Sequence, residues 1–161
     1  MEKIIGVNKM KIIDGSNYLK EVKQLIIEYT TFLNRDLSFQ NLSDELEHLK
    51  EKYTKPNGEL LVAITEIGEV VGCVAFYEHT RKRCEMKRLY VKKEYRNHKI
   101  GYELVKNIIE LARKDGYKEM VLDTIQPLKS AIHLYRKCGF REIESYYENP
   151  MEDVIYMGMK L

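Results

Sequence analysis

Tyr90-Val91-Lys92-Lys93-Glu94-Tyr95-Arg96-Asn97-His98-Lys99-Ile100-Gly101-Tyr102 joins an apolar strand to an amphipathic helix through a loop crowded with positive charge. Upstream, residues 84–91 read as a strand. Downstream, Ile100, Leu104, Val105, Ile108, Leu111 and Ala112 recur at helical spacing within 99–115, and Gly116 follows as the expected C-cap. Met120-Val121-Leu122-Asp123-Thr124 then reads as a buried strand. Strand, helix and strand in that order form a crossover unit, whose two strands pair in parallel.

Working outward, 10–13 is a short strand, and Asp14-Gly15-Ser16-Asn17 supplies the cap of a first helix carrying Leu19, Val22, Leu25, Ile26, Tyr29 and Leu33 on one face. A second, shorter helix follows Ser43, with Leu42, Leu46, Leu49 and Tyr53 on its face, and stops at Lys55-Pro56-Asn57-Gly58. Residues 60–66 and 70–78 are strands about the Ile67-Gly68-Glu69 turn; with 84–91 they make an antiparallel meander. Pro127 opens a helix through Cys138 that Gly139 ends, and 141–145 and 154–161 are strands flanking an Asn149-Pro150 turn. The class is α+β, a mixed, largely antiparallel sheet with flanking helices.

The 161 residues suit one domain, 1–161, and 44% hydrophobic with 32% charged residues is globular composition. The longest apolar run is about seven residues, where a membrane span needs roughly twenty. Charge and polarity interrupt the first nine residues before any signal-peptide core forms, so a cytoplasmic protein is expected, with no membrane partner. Cys73, Cys84 and Cys138 are too few and too separated for a disulfide framework or zinc site and read as buried thiols. His48, His79, His98 and His133 share no ligand spacing, so no metal is expected.

Residues 81–99 hold nine Lys and Arg against Glu85 and Glu94, a local +7 in a chain whose total is +2. Such a segment is either a solvated face or a polyanion site. The first amides of a helix lack internal partners and sit at the positive end of its dipole, so a phosphate can satisfy several at once. Lys92, Lys93, Arg96 and Lys99 add charge there. A nucleic-acid module would use the same charges, but groove-reading or aromatic side chains should then interleave with them, and the near-zero total charge argues against one.

These residues resemble the GNAT superfamily of acyl-CoA-dependent N-acyltransferases over nearly the whole chain. The signature Arg/Gln-x-x-Gly-x-Gly/Ala aligns with Arg96-Asn97-His98-Lys99-Ile100-Gly101, after the strand Glu85-Met86-Lys87-Arg88-Leu89-Tyr90-Val91 and before Ala131-Ile132-His133-Leu134-Tyr135-Arg136-Lys137-Cys138-Gly139-Phe140. The resemblance implies that the fourth and fifth strands, 84–91 and 120–124, splay to admit the pantetheine arm of acetyl-CoA. It implies cosubstrate contacts at Leu89, Tyr90, Val91, Arg96, Asn97, His98, Lys99, Ile100, Gly101 and Tyr102. Lys99 stands where the family has its first glycine; its side chain either crowds the pyrophosphate or turns outward and adds charge.

By the same resemblance Tyr135 protonates the departing thiolate, whereas spacing alone, with Ala131, Leu134 and Cys138, makes it a core residue. Glu85 is the candidate base, the alternative being a salt bridge to Arg83 or Lys87, and Asp123 is a second candidate. Strand alternation puts Glu85 on one face with Lys87, Leu89 and Val91 unless a β-bulge resets the parity. The family builds its acceptor pocket from the first two helices and the last hairpin, which offer Phe32, Gln40, Tyr147 and Asn149 beside Tyr29, Phe39, Tyr146 and Glu148. Aromatic walls with scattered carboxylates suit an organic cation. The expected activity is acetyl transfer from acetyl-CoA to a primary amine of a small molecule or peptide by direct attack in a ternary complex. A catalytically silent acyl-CoA sensor is the other reading, and a homodimer is compatible with the resemblance.

Overall fold

Apolar alternation in the middle of the chain builds one eight-stranded sheet. The computed structural model describes residues 3–5, 10–96 and 99–161. Its strands are β1 (Lys3–Ile5), β2 (Met10–Asp14), β3 (Gly58–Ile64), β4 (Val70–Thr80), β5 (Arg83–Val91), β6 (Glu119–Ile125), β7 (Arg141–Ile143) and β8 (Val154–Lys160), in the order β1-β2-β3-β4-β5-β6-β8-β7. Neighbours are antiparallel except β5 and β6, which pair in parallel across the helical crossover. β1 has no counterpart in the sequence reading, since three residues are too few to display a period; its pairing with β2 defines it.

Among the described residues five α-helices cover the sheet: α1 (Leu19–Leu33), α2 (Leu42–Glu47), α3 (Leu49–Tyr53), α4 (Ile100–Lys114) and α5 (Lys129–Cys138). On one face Val22, Leu25 and Ile26 of α1, with Leu49 and Tyr53 of α3, bury against Leu60, Val62, Cys73 and Ala75. On the other Ile100, Leu104, Val105 and Ile108 of α4 meet Leu61, Ala63, Val74 and Phe76. Adjacent residues of β3 and β4 thus feed opposite cores, the period-2 signature of a strand buried on both faces.

Two local expectations are corrected. The turn at 14–17 does not cap α1: Tyr18 holds the N-cap position without a side-chain bond, while Ser16 Oγ donates to Asp14 and Gly15 N–H to Leu60 O at 2.8 Å. The expected second helix breaks into α2 and α3 at His48 (φ −126°, ψ 36°). Its inward face then carries a carboxylate, Glu45, as well as the apolar residues.

That carboxylate meets an irregularity in β5. Cys73 lies opposite Tyr90 and Ala75 opposite Lys87, so β5 uses one residue more than β4, and Arg88 adopts a left-handed φ of 62°. Parity resets as a bulge requires. Leu89 and Val91 pack with the α4 core, while Tyr90 joins the α1 core. Arg88 Nε donates to Glu45 Oε2 at 2.7 Å and Nη2 to Oε1 at 3.2 Å, and Lys52 Nζ reaches Oε1 at 2.8 Å. Burial alone would raise Glu45, but the Arg88 bonds and the two cationic charges outweigh it and hold the carboxyl at about 2.

Removing one member of a buried pair strands the other without water or counter-charge. Glu45→Ala is expected to cost about 3–5 kcal/mol, read as a large fall in the denaturant midpoint. Because the folded-state value lies below the ordinary 4.5, this stabilisation is present above pH 4.5 and is lost as pH falls toward 2. Acid titration of stability should therefore be shallower in the variant over that window.

Candidate active site

β5 and β6 pair only at Arg83 with Glu119, Cys84 with Met120 and Glu85 with Val121. Beyond that they diverge, and the gap is a narrow slit of about 70 Å³ walled by Met86 to Leu89 of β5 and Leu122 to Ile125 of β6. It opens into a larger groove of about 730 Å³ between the start of α4 and α5. Tyr29, Leu89, Leu128 and Tyr135 line both and so mark the junction.

Of the residues expected to contact the cosubstrate, Leu89, Tyr90, Val91, Arg96, Lys99, Ile100, Gly101 and Tyr102 line the groove. Asn97 and His98 lie outside the described residues. Helix α4 starts there without a side-chain cap, preceded by Lys99 at φ 61°. Glycine takes that backbone conformation freely, and lysine adopts it at some cost in steric strain. The Lys99 side chain is exposed at the groove, not packed into the turn. A Cβ at Gly101 would meet only Leu134 Cδ2 at 3.5 Å and Val91 Cγ2 at 4.0 Å, ordinary contacts. Packing does not demand glycine there; its absent side chain leaves room over the helix terminus for a ligand. Arg96 Nε donates to Val91 O at 3.0 Å, and its guanidinium lies 5.4 Å from the Phe32 ring and 5.5 Å from that of Tyr90.

Tyr135 meets both descriptions given by the sequence. It packs edge-on against Phe140 at 5.9 Å within the α4 core, yet faces both cavities. Burial raises its pKa, so the phenol keeps its proton.

Glu85 is buried at 3% exposure; it accepts from Tyr77 Oη at 2.5 Å on one oxygen and from Tyr146 Oη on the other. It stands behind the slit wall. Asp123 does line the slit and accepts from Tyr147 Oη and, at 3.4 Å, from Asn149 Nδ2. Burial first, then the adjacent carboxylates, raise the pKa values of Tyr77, Tyr146 and Tyr147 and keep these phenols as donors. Among the residues expected to bind the acceptor, Gln40 lines the slit, Tyr147 and Asn149 hold Asp123, and Phe32 is exposed at the larger groove.

Sequence reasoning missed three parts of this site. Lys87 lines the slit, its Nζ 3.9 Å from Glu85 Oε1, and Arg88 lies beside it. Adjacent cations in a strand with both faces covered are a readable signal that goes unused when the whole basic segment is treated as one patch. Arg35 also lines the slit and forms a two-pronged pair with Asp153 at 2.6 and 2.8 Å, joining segments 118 residues apart with no local sequence mark.

The thiols take no part in the slit. Burial pushes Cys73 and Cys84 up to about 12, and Cys138 is half-buried, not buried. Among the described residues no three His, Cys, Asp or Glu side chains gather as a metal-binding group, and no helix is long and apolar enough to cross a membrane.

Residues 19–140 match the acetyltransferase (GNAT) family. The chain is 45% identical over 144 residues to an N-acetyltransferase of Schizosaccharomyces pombe, covering 89% of this chain and 88% of that one. It is 31% identical to an N-acetyltransferase of Dictyostelium discoideum, covering 94% and 99%. Among solved structures, a GNAT acetyltransferase of Staphylococcus aureus Mu50 superposes with a TM-score of 0.78 at 25% identity, covering 94% and 98%. A GNAT acetyltransferase of Elizabethkingia anophelis, solved with acetyl-CoA bound, superposes with 0.58 at 29% identity, covering 71% and 83%. With a splayed parallel strand pair, an uncapped helix terminus facing a groove, and these relatives, the chain belongs to the GNAT superfamily and is an N-acetyltransferase of that family.

Proposed function

We propose that the chain transfers an acetyl group from acetyl-CoA to a primary amine of a small molecule or peptide, by direct attack while both are bound. The observation that carries this reading is the junction at Tyr135, where a groove ending on a bare helix terminus meets a slit ending on Asp123. The acetyl-CoA in the Elizabethkingia relative supports the cosubstrate. Acetyl-CoA supplies an activated acyl group on a thiol that leaves readily.

The rest is the work of this chain. The first amides of α4, with Arg96 and Lys99, hold the pyrophosphate, and the β5 backbone at Leu89, Tyr90 and Val91 pairs with the pantetheine arm. Backbone N–H groups of the same stretch polarise the thioester carbonyl. Tyr135 protonates the leaving sulfur. An amine of pKa about 10.4 is neutral in only about one part in 2,500 at pH 7, so its deprotonation costs about 4–5 kcal/mol and calls for a base. Glu85 takes that proton through a Tyr146 or Tyr77 hydroxyl or a water, and Asp123 orients the amine.

Acetyl-CoA should raise the melting temperature and give a heat of binding, and an amine panel should release free thiol. Unchanged melting with no heat would refute the reading; binding without turnover on any amine would leave an acyl-CoA sensor. Gly101→Asp is expected to weaken acetyl-CoA binding by at least about tenfold, because a carboxylate then faces the phosphates, while Lys93→Ala changes it by less than about threefold. Equal losses would mean that diffuse charge does the binding.

Glu85→Gln should lower the rate at neutral pH and recover as pH approaches the acceptor's own pKa, since solution then provides the free amine. If Asp123→Asn shows that recovery instead, the base is Asp123. Tyr135→Phe keeps the ring and its packing, so melting temperature and acetyl-CoA affinity should hardly move while kcat falls by about 10²-fold or more. A wild-type kcat would leave Tyr135 as a core residue only.

A further inference from the structure

We propose that the acceptor is an amine bearing a carboxylate on a neighbouring carbon, as in a small amino acid, and that Lys87 Nζ and the Gln40 side-chain amide receive that carboxylate in the slit. The proposal rests on the acetyl-transfer reading above and names its acceptor class.

Hydrogen-bond bookkeeping around the slit leaves one charged group over. Arg88 is taken by Glu45 and Gln40, Arg35 by Asp153, Asp123 by Tyr147 and Asn149, and Glu85 by two tyrosine hydroxyls. Lys87 is different. Its side chain is 11% exposed, its nearest carboxylate oxygen is 3.9 Å away, and it has no acceptor within hydrogen-bond reach among the described residues. Burial pushes the ammonium pKa down, with Glu85 and Asp123 offsetting only part of this. An anion seated against Lys87 supplies the close acceptor that the 3.9 Å contact with Glu85 does not.

Gln40 supplies the second donor. A guanidinium only donates, so the 3.2 Å contact with Arg88 Nη2 requires the Gln40 oxygen to face Arg88. Its NH₂ is then turned away from Arg88, on a residue that also lines the slit. Donors thus stand on β5 and the α1–α2 connection, and the acceptor Asp123 stands on β6. A molecule with an amine at one end and a carboxylate a bond or two away matches that polarity, and its size suits a slit of about 70 Å³. A plain organic cation pairs with Asp123 but leaves the Lys87 ammonium without an acceptor.

The test uses matched acceptors, each amino acid against its primary amide and its decarboxylated amine, with saturating acetyl-CoA and thiol release as the readout. The amide's amine is less basic and more often neutral, so a preference for the acid cannot come from basicity. The acids should be favoured by at least about tenfold in kcat/KM. Lys87→Met should raise KM for the acids by at least about tenfold and leave KM for the amides within about twofold; Lys87→Arg should restore part of the loss. Melting curves of both variants check folding, and the acid–amide comparison in the wild type stands whatever they show. Equal use of acid and amide, preference for the uncharged partner, an equal loss on both in Lys87→Met, or acetyl-CoA binding with no carboxylate-bearing amine acetylated would each overturn the proposal while leaving the acetyl-transfer reading in place. Absence of acetyl-CoA binding by calorimetry would overturn both.

Discussion

The ion pair between Arg88 and Glu45 sits where the sheet departs from regularity, and most of what is functional follows from that departure. One extra residue in β5 puts Arg88 in a left-handed conformation and exchanges the faces of everything after it. The guanidinium then points into the domain, where only a buried carboxylate makes its charge tolerable. Glu45 supplies it from the short helix α2, whose Leu42 and Leu46 pack against the α1 core. The pair ties α2 to β5 at the level where β5 parts from β6. Hydrogen bonding between the parallel strands has ended by then, and the slit between them is the space that results.

Polar groups inside the fold are arranged so that carboxylates accept and phenols donate. Tyr77 and Tyr146 hold Glu85, Tyr147 holds Asp123, and the Tyr156 ring packs edge-on against Tyr146 and Tyr147, which are tilted to one another, at 5.2–5.5 Å. Burial keeps these hydroxyls protonated, so the carboxylates accept their hydrogen bonds from neutral donors, with Lys87 Nζ lying 3.9 Å from Glu85. Such an arrangement keeps proton-accepting capacity near the slit. Among the twelve tyrosines, Tyr77, Tyr95, Tyr117, Tyr146 and Tyr147 donate to a carboxylate in this way: a phenol brings both an apolar ring and a hydrogen-bond donor.

The groove is lined by the end of β5, the start of α4 and α5, whereas the slit draws its lining from segments far apart in the chain. Lys87, Gln40 and Asp123 come from three separate elements and meet because the bulge, the splay and the α1–α2 connection converge. A groove built on backbone amides serves any coenzyme A thioester, since phosphates are read by N–H groups and diffuse charge. An acceptor is read by side chains at fixed distances, and those depend on the whole fold.

How much was legible in the sequence follows from the range of each interaction. Strands β2 to β6, helices α1, α4 and α5, the parallel crossover and the loop before Gly101 could be read because hydrophobic period, glycine and proline chemistry and helix-terminal electrostatics act between residues close in the chain. The Tyr135 alternatives could also be stated from spacing, though spacing could not say that one ring serves core and slit together. What remained hidden was long-range. Parity beyond Lys87 depended on a bulge with no reliable local mark, the break at His48 on the docking of Glu45, and the placing of Arg35 on its pairing with Asp153 across 118 residues. Sequence by itself determined most of the elements and the basic loop ahead of a helix terminus that forms the candidate anion site, because those are local properties of a chain in water. Only the tertiary structure decided which charges pair inside the fold and which, Lys87 and Asp123 among them, line the slit, because pairing of buried charges is settled by geometry between segments that sequence distance does not encode.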